Sequence, residues 1–323
     1  MGADAPPILV TGITRSGTTW AASMLNASRR VVYVNEPLNP KHPPGRSPGV
    51  LRADVRARYQ YICADNEHEY LDAYRDLLAL RYHLAAELKR NHGLADIARA
   101  ARYLALFTRG RVQGRRLMVA DPFAVFSAEW FARRLGFQVV VMVRHPVAVV
   151  GSRKRLGWRL DLPELLAQPL LERDWLTPIQ REWPDALRPD GDIVQGGAQL
   201  WRLVYEAVLE QSRRLPGLIL VRHEELSMDP IGGFEQLCDR LGLPFDERTR
   251  RSVIESTSAS NPVQVGKGGA HEIRLDSRAN LESWRSRLSS DEVDQVLGIT
   301  RPLVDDLYPD WTVGSTGPGA SVR

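Results

Sequence analysis

The stretch LVTGITRSGTTWAASML, residues 9–25, constrains this chain more than any other: an apolar strand runs into a Gly-Thr loop and then into a helix. The spacing is that of the phosphate-binding pattern G-x-x-x-x-G-K-[ST], with Gly12 and Gly17 in register and Thr19 at the Ser/Thr position. The lysine is missing. Thr18 stands in its place, and the nearest cation is Arg15. Backbone N–H groups at such a helix start point outward, and together with the helix dipole they favour an anion. Gly17 lets the backbone approach a ligand, Thr18 and Thr19 add hydroxyl donors, and Arg15 adds charge. The same residues without a ligand are a tight strand-to-helix turn.

Four further apolar runs read as strands: Val31–Val34, Leu117–Ala120, Val139–Val143 and Leu218–Val221, besides Ile8–Gly12. Each is continuous rather than alternating, as expected of parallel strands covered on both faces. Helical patterns lie between them, at Thr18–Ala27, 69–90, Val125–Leu135, Pro146–Leu156 and Ala198–Leu215. This alternation predicts an α/β, P-loop-containing doubly wound fold: a central parallel sheet of about five strands with helical insertions, and ligands at the carboxyl ends of the strands. The expected organisation is one domain over residues 1–311, with a mostly helical insertion at 51–115 and an irregular, acceptor-side stretch at 161–197 that carries five prolines. The Gly/Ser/Pro-rich residues 312–323 read as a disordered tail.

Composition narrows the function classes. The 323 residues are 43% hydrophobic and 25% charged, within the range of globular proteins, and long enough for a sizeable core. A net charge of +4 suits anionic ligands but is too weak to argue for nucleic acid. Cys63 and Cys238 form neither a disulfide framework nor a zinc spacing, which points to a reducing, cytoplasmic location. The N-terminus carries no signal-peptide pattern, and no uncharged apolar run is long enough to span a membrane.

A second anion site follows from the fourth strand. It ends in Arg144 ("VVVMVRHP") where a nucleotide hydrolase would need a metal-binding carboxylate, and Ser152 lies about two turns into the next helix. At this point the chain resembles sulfotransferases that use 3′-phosphoadenosine 5′-phosphosulfate (PAPS). "TRSGTTW" is similar to their 5′-phosphosulfate loop, and an arginine at position 15 resembles the carbohydrate and tyrosylprotein enzymes rather than the cytosolic phenol enzymes. The resemblance implies that Arg15, Ser16, Gly17, Thr18, Thr19 and Trp20 hold the 5′-phosphosulfate. It assigns Arg144 and Ser152 to the 3′-phosphate, through the strand-end arginine and helix serine of "VRHPVAVVGS". "LILVRHEELSMDP" resembles the family's Y-E-D-L-x-x-D-P turn, with His223 for Tyr and Asp229 starting a helix. "SRANLESWRSRL" is similar to the K-G-x-x-G-D-W-K segment, which puts Arg278 on its lysine; Ala279 and 281–283 depart from the pattern. The bound species would be PAPS, its product 3′,5′-adenosine bisphosphate, with no metal.

The chemistry also needs a base for the acceptor hydroxyl. Glu36 in "VVYVNEPLNP" follows the second strand, where Golgi-type relatives carry Glu or Glu-Pro; its plain reading is a surface glutamate before a proline turn. Asp121 in "VADPF" is the rival, as base, as acceptor contact or as a helix cap. Arg15 would act on the bridging oxygen as charge develops there. Trp201 could line the acceptor site, and His145 reads as a helix cap. The expected activity is metal-independent O-sulfation of a hydroxyl on a glycan, glycolipid or secondary metabolite. Two alternatives remain: a P-loop kinase or nucleotidase, and a non-catalytic nucleotide-binding protein. The acceptor and the oligomeric state are not legible.

Overall fold

The computed structural model describes residues 5–184, 192–265 and 272–309. Five strands, β1 (Ile8–Gly12), β2 (Val31–Asn35), β3 (Arg116–Ala120), β4 (Gln138–Val143) and β5 (Ile219–Arg222), form one sheet in the order β2-β3-β1-β4-β5. All pairings are parallel, with Val10 beside Ala120 on one side and Val140 on the other. The apolar runs are continuous because both faces are covered. Leu9, Val32, Val119 and Val141 face one core and Ile8, Val10, Met118 and Val140 the other, the period of two expected of a strand. On the first face α4 (Leu94–Val112), α5 (Ala128–Leu135) and α10 (Ile193–Arg214) supply Phe107, Phe131 and Trp201. Truncating a ring such as Phe131, wholly buried, to alanine should cost about 3–5 kcal/mol. On the second face α1 (Thr18–Leu25), α12 (Pro230–Arg240) and α13 (Glu247–Thr257) supply Leu25, Phe234 and Val253.

Helix boundaries follow local chemistry. α6 (Pro146–Leu156) starts with proline at its first position and stops at Gly157, whose φ of 67° is left-handed. Asp229 caps α12 by accepting from the Gly232 N–H, as expected. Two expectations change. The pattern over 69–90 is two helices, α2 (Leu71–Leu78) and α3 (Leu84–Arg90), because Leu80 adopts φ 50° and the chain turns so that the His83 N–H meets Gly49 O at 2.9 Å. The stretch expected to be irregular holds α7 (Leu162–Leu166), α8 (Pro169–Leu171) and α9 (Thr177–Glu182). Prolines 163 and 169 lie in the first turns of α7 and α8, where a missing N–H costs nothing, and Pro178 follows the π-helical turn Glu172–Leu176 that joins α8 to α9. The remaining helices are α11 (His223–Met228), α14 (Ser277–Leu281) and α15 (Ser290–Leu307). Residues 312–323 lie outside the described residues.

Candidate active site

The carboxyl ends of β1, β2, β3 and β4 open into a cavity of about 940 Å³. The strand order places β1 at the centre, with β3 on one side and β4 on the other. The two crossovers diverge there and leave a crevice. Gly12, at φ 142°, lies so close to β4 that a Cβ would collide with Met142 O. Gly17, at φ 98°, has His223 against it, where a Cβ would meet the imidazole Cδ2 at 2.6 Å. Both glycines of the loop are therefore required by the geometry.

Arg15, Gly17, Thr18, Thr19 and Trp20 all line the cavity; Ser16 is buried beneath them and donates its N–H to Ile13 O at 3.0 Å. Trp20 is oriented by a 3.1 Å bond from Nε1 to Ser256 Oγ and by edge contact with Phe234. Arg15 Nε donates to Ser152 Oγ at 2.9 Å, and its guanidinium lies 5.8 Å from the Trp158 ring centroid. Arg144 leaves β4, donates through Nη1 to Arg15 O at 3.2 Å and through Nη2 to Asn280 Oδ1 at 3.0 Å. The first loop, Arg144 and Ser152, which the resemblance assigns to one cofactor, are thus joined by direct hydrogen bonds.

Arg155 and Arg287 complete a cluster of four guanidinium groups on this side of the cavity. Burial, then the charges of Arg144, Arg155 and Arg287, bring the Arg15 pKa down to about 10. Burial, then Arg155 and Arg144, bring Arg287 down to about 10 as well. Like charges held together in a partly buried cluster, as here, repel one another and favour an anion that relieves the repulsion. Arg278 is elsewhere. It is exposed, it donates to Met228 O at 2.8 Å, and it does not line the cavity. The short helix α14 is capped by Asp276 so that Ser277 and Asn280 face inward and Arg278 outward. Arg287, one turn beyond the tryptophan of the matched segment, occupies the cavity instead.

The opposite side is built from loops. Glu36 lines the cavity at φ 51°, a left-handed conformation uncommon for a side chain of its size. Its N–H donates to Ala120 O at 2.7 Å, its carbonyl accepts from Asn39 N, and its Oε2 accepts from Asn39 Nδ2 at 2.6 Å. Among the described residues five non-glycine positions have positive φ, and three of them, Arg15, Glu36 and Tyr59, line this cavity. Clustered backbone strain of this kind marks functional sites.

Asp121 does not line the cavity and is fully buried. Its Oδ2 accepts from Leu38 N at 2.6 Å and its Oδ1 from Phe123 N at 2.9 Å. The helix-cap reading describes its geometry, and it also ties down the loop that carries Glu36. Burial raises its pKa to about 8, against the opposing pull of those two N–H donors. Trp201 is fully buried as well. It donates to Arg144 O at 2.8 Å and supports the site from below rather than lining it. His145 occupies the N-cap position of α6, but its side chain makes no cap bond. His223, packed between Gly17 and Trp20, is held neutral by burial and then by Arg144.

Sequence reasoning missed Arg153, Arg155, Arg287 and Asn280. The run "GSRKRL" contains the first two, yet basic residues in the last turn of a helix are ordinary partners of its dipole. No helix of the described residues is long and apolar enough to cross a membrane.

A sequence model described as "Sulfotransferase family" matches residues 6–247. Carbohydrate sulfotransferase 1 of Rattus norvegicus is 23% identical over 88% of this chain and 75% of its own length. Carbohydrate sulfotransferase 1 of Danio rerio is 33% identical over 28% of this chain, a match that spans 21% of the zebrafish protein. A mouse sulfotransferase solved in complex with PAP is 12% identical, with 97% of this chain and 91% of that one covered and a TM-score of 0.45.

Proposed function

The chain belongs to the sulfotransferase family, and from that premise we propose that it moves the sulfuryl group of PAPS to the hydroxyl of a small-molecule or glycan acceptor. The observation that carries this reading is the cluster of buried Arg144 with half-buried Arg15, Arg155 and Arg287 around the first loop. Four guanidinium groups suit the two separate anionic ends of a 3′,5′-bisphosphorylated nucleotide. They also supply the positive charge that a metal supplies in nucleotide hydrolases, so turnover should survive EDTA.

PAPS supplies an activated sulfuryl group. The N–H groups at the start of α1, with Thr18 and Thr19, hold its 5′ end. Arg144 and Ser152 hold the 3′-phosphate, with Arg287 and Arg155 in the part the sequence assigned to Arg278. Arg15 reaches from the loop to Ser152 and so spans both ends. Neutral His223 packs under Gly17 and adds no charge to the cluster.

Glu36 is the base in this reading. Asn39 holds Oε2, and Oε1 is the atom to which we assign the acceptor's proton. Asp121 positions that carboxylate through the Leu38 N–H. The location we propose is cytoplasmic, on the two unpaired cysteines. A thermal-shift comparison tests the cofactor: 3′,5′-adenosine bisphosphate should raise the melting temperature well above the effect of ATP or NAD. Equal shifts by ATP would overturn the 3′-phosphate site.

A further inference from the structure

Arg153 is a buried arginine that this scheme leaves without an anion. It follows Ser152 on α6, lines the same cavity, and is only 4% exposed. Its Nη1 donates to Thr14 Oγ1 at 2.9 Å and its Nη2 to Arg159 O at 3.3 Å, while its Nε has no hydrogen-bond partner. The groups that bear on its charge are Tyr59 and Arg58, and neither is a carboxylate. A buried guanidinium held by a hydroxyl and a carbonyl keeps an uncompensated charge, which is costly unless a ligand supplies its counterion.

The position of Arg153 says which ligand. Thr14 lies 3.4 Å from the Tyr59 hydroxyl, and the Tyr59 ring packs edge-on against Phe123, so this corner belongs to the loop-built side of the cavity. The other charges facing that side do not satisfy Arg153. The carboxylates of Asp161 and Glu164 are taken by Arg58, at 3.1 and 2.9 Å, and Glu36 is engaged by Asn39. Lys41 and Arg159 add two more cations to the lining. On the proposed reading that this side receives the acceptor, we infer that the acceptor carries a negatively charged group beside its reacting hydroxyl, and that Arg153 binds it.

The test uses matched pairs: hydroxylated carboxylic acids and their methyl esters, in sugar (glucuronate) and phenolic (4-hydroxyphenylacetate) series, with ³⁵S-labelled PAPS. The wild type should prefer acid over ester by at least about tenfold in kcat/KM, mainly through KM. In Arg153→Gln that ratio should fall towards one, and Arg153→Lys should restore part of it. Bisphosphate affinity, titrated in the same variants, separates this role from a structural one, because a loop released by loss of the Thr14 bond would weaken the bisphosphate too. Acid and ester used equally well by the wild type would overturn the inference and leave sulfuryl transfer standing. So would an acid-to-ester ratio unchanged in Arg153→Gln, which would assign the charge to the sulfuryl group instead. A wild type that neither binds the bisphosphate nor labels any hydroxyl would overturn the reading on which the inference rests, and the inference with it.

Discussion

The two sides of the cavity are made by different means. The side with Arg15, Arg144 and Ser152 stands on β1 and β4, neighbours in the sheet whose register is set by five pairs of residues, and on the first two turns of the helices that follow them. The side with Glu36 and Tyr59, which Arg153 faces from α6, depends on loops: a left-handed glutamate, a left-handed tyrosine, and a carboxylate, Asp121, buried to hold the first of these in place. The first side gathers like charge on rigid backbone, which suits the anionic cofactor proposed for it. The second side spaces a few polar groups among apolar walls such as Phe123, Leu160 and Leu200, and its chemistry is tuned by which loop is tied to which.

That contrast predicts a separation between turnover and nucleotide binding. Glu36→Gln should lower turnover by roughly 10²- to 10⁴-fold, about 3–5 kcal/mol of barrier, with bisphosphate affinity close to wild type. Single-turnover kinetics beside calorimetry would measure both; a variant that turns over normally removes Glu36 as base. Asp121→Asn should then be an intermediate case, losing activity in proportion to the mobility of the 36–39 loop.

Asp121 also gives the loop side a pH signature. Its pKa is raised in the folded protein to about 8, above its unfolded value. The folded state therefore holds an extra proton at intermediate pH, and the stability from Asp121 is full at low pH and lost as pH rises through about 8. Wild-type stability relative to Asp121→Asn should fall by about 2–4 kcal/mol between pH 5 and 8. Denaturant midpoints across that range would show it, and parallel curves would mean that the two N–H donors keep the carboxylate ionised.

On the strand side the effects should fall on binding. Arg144→Ala should weaken the bisphosphate by about 1.5–3 kcal/mol, more than Arg15→Ala, because in the proposed scheme Arg144 meets a phosphate in the ground state. Arg287→Ala should act in the same direction. The smallest effect belongs to Arg278→Ala, which should leave affinity within about twofold of wild type, since its guanidinium caps a carbonyl away from the cavity. A large loss in Arg278→Ala with none in Arg287→Ala would reverse that assignment.

The amino-acid sequence by itself determined the sheet, the first loop and the pairing of that loop with Arg144 and Ser152. The reason is local: continuous apolar runs are buried on both faces, glycines stand where a Cβ collides, and the strand-end arginine and helix serine gained meaning only beside the first loop and the family resemblance. The tertiary structure alone decided the rest. Whether an arginine in the matched C-terminal segment faces the cavity depends on how α14 is capped and packed, and that turned Asn280 inward and Arg278 outward. Likewise nothing in "GSRKRL" says that Arg153 is buried against Thr14, because the contact joins residues far apart in the chain. The same holds for the two strand-end carboxylates. Glu36 and Asp121 look alike as letters, and only the closing of the 36–39 loop over β3 exposes one to the cavity and seals the other beneath it.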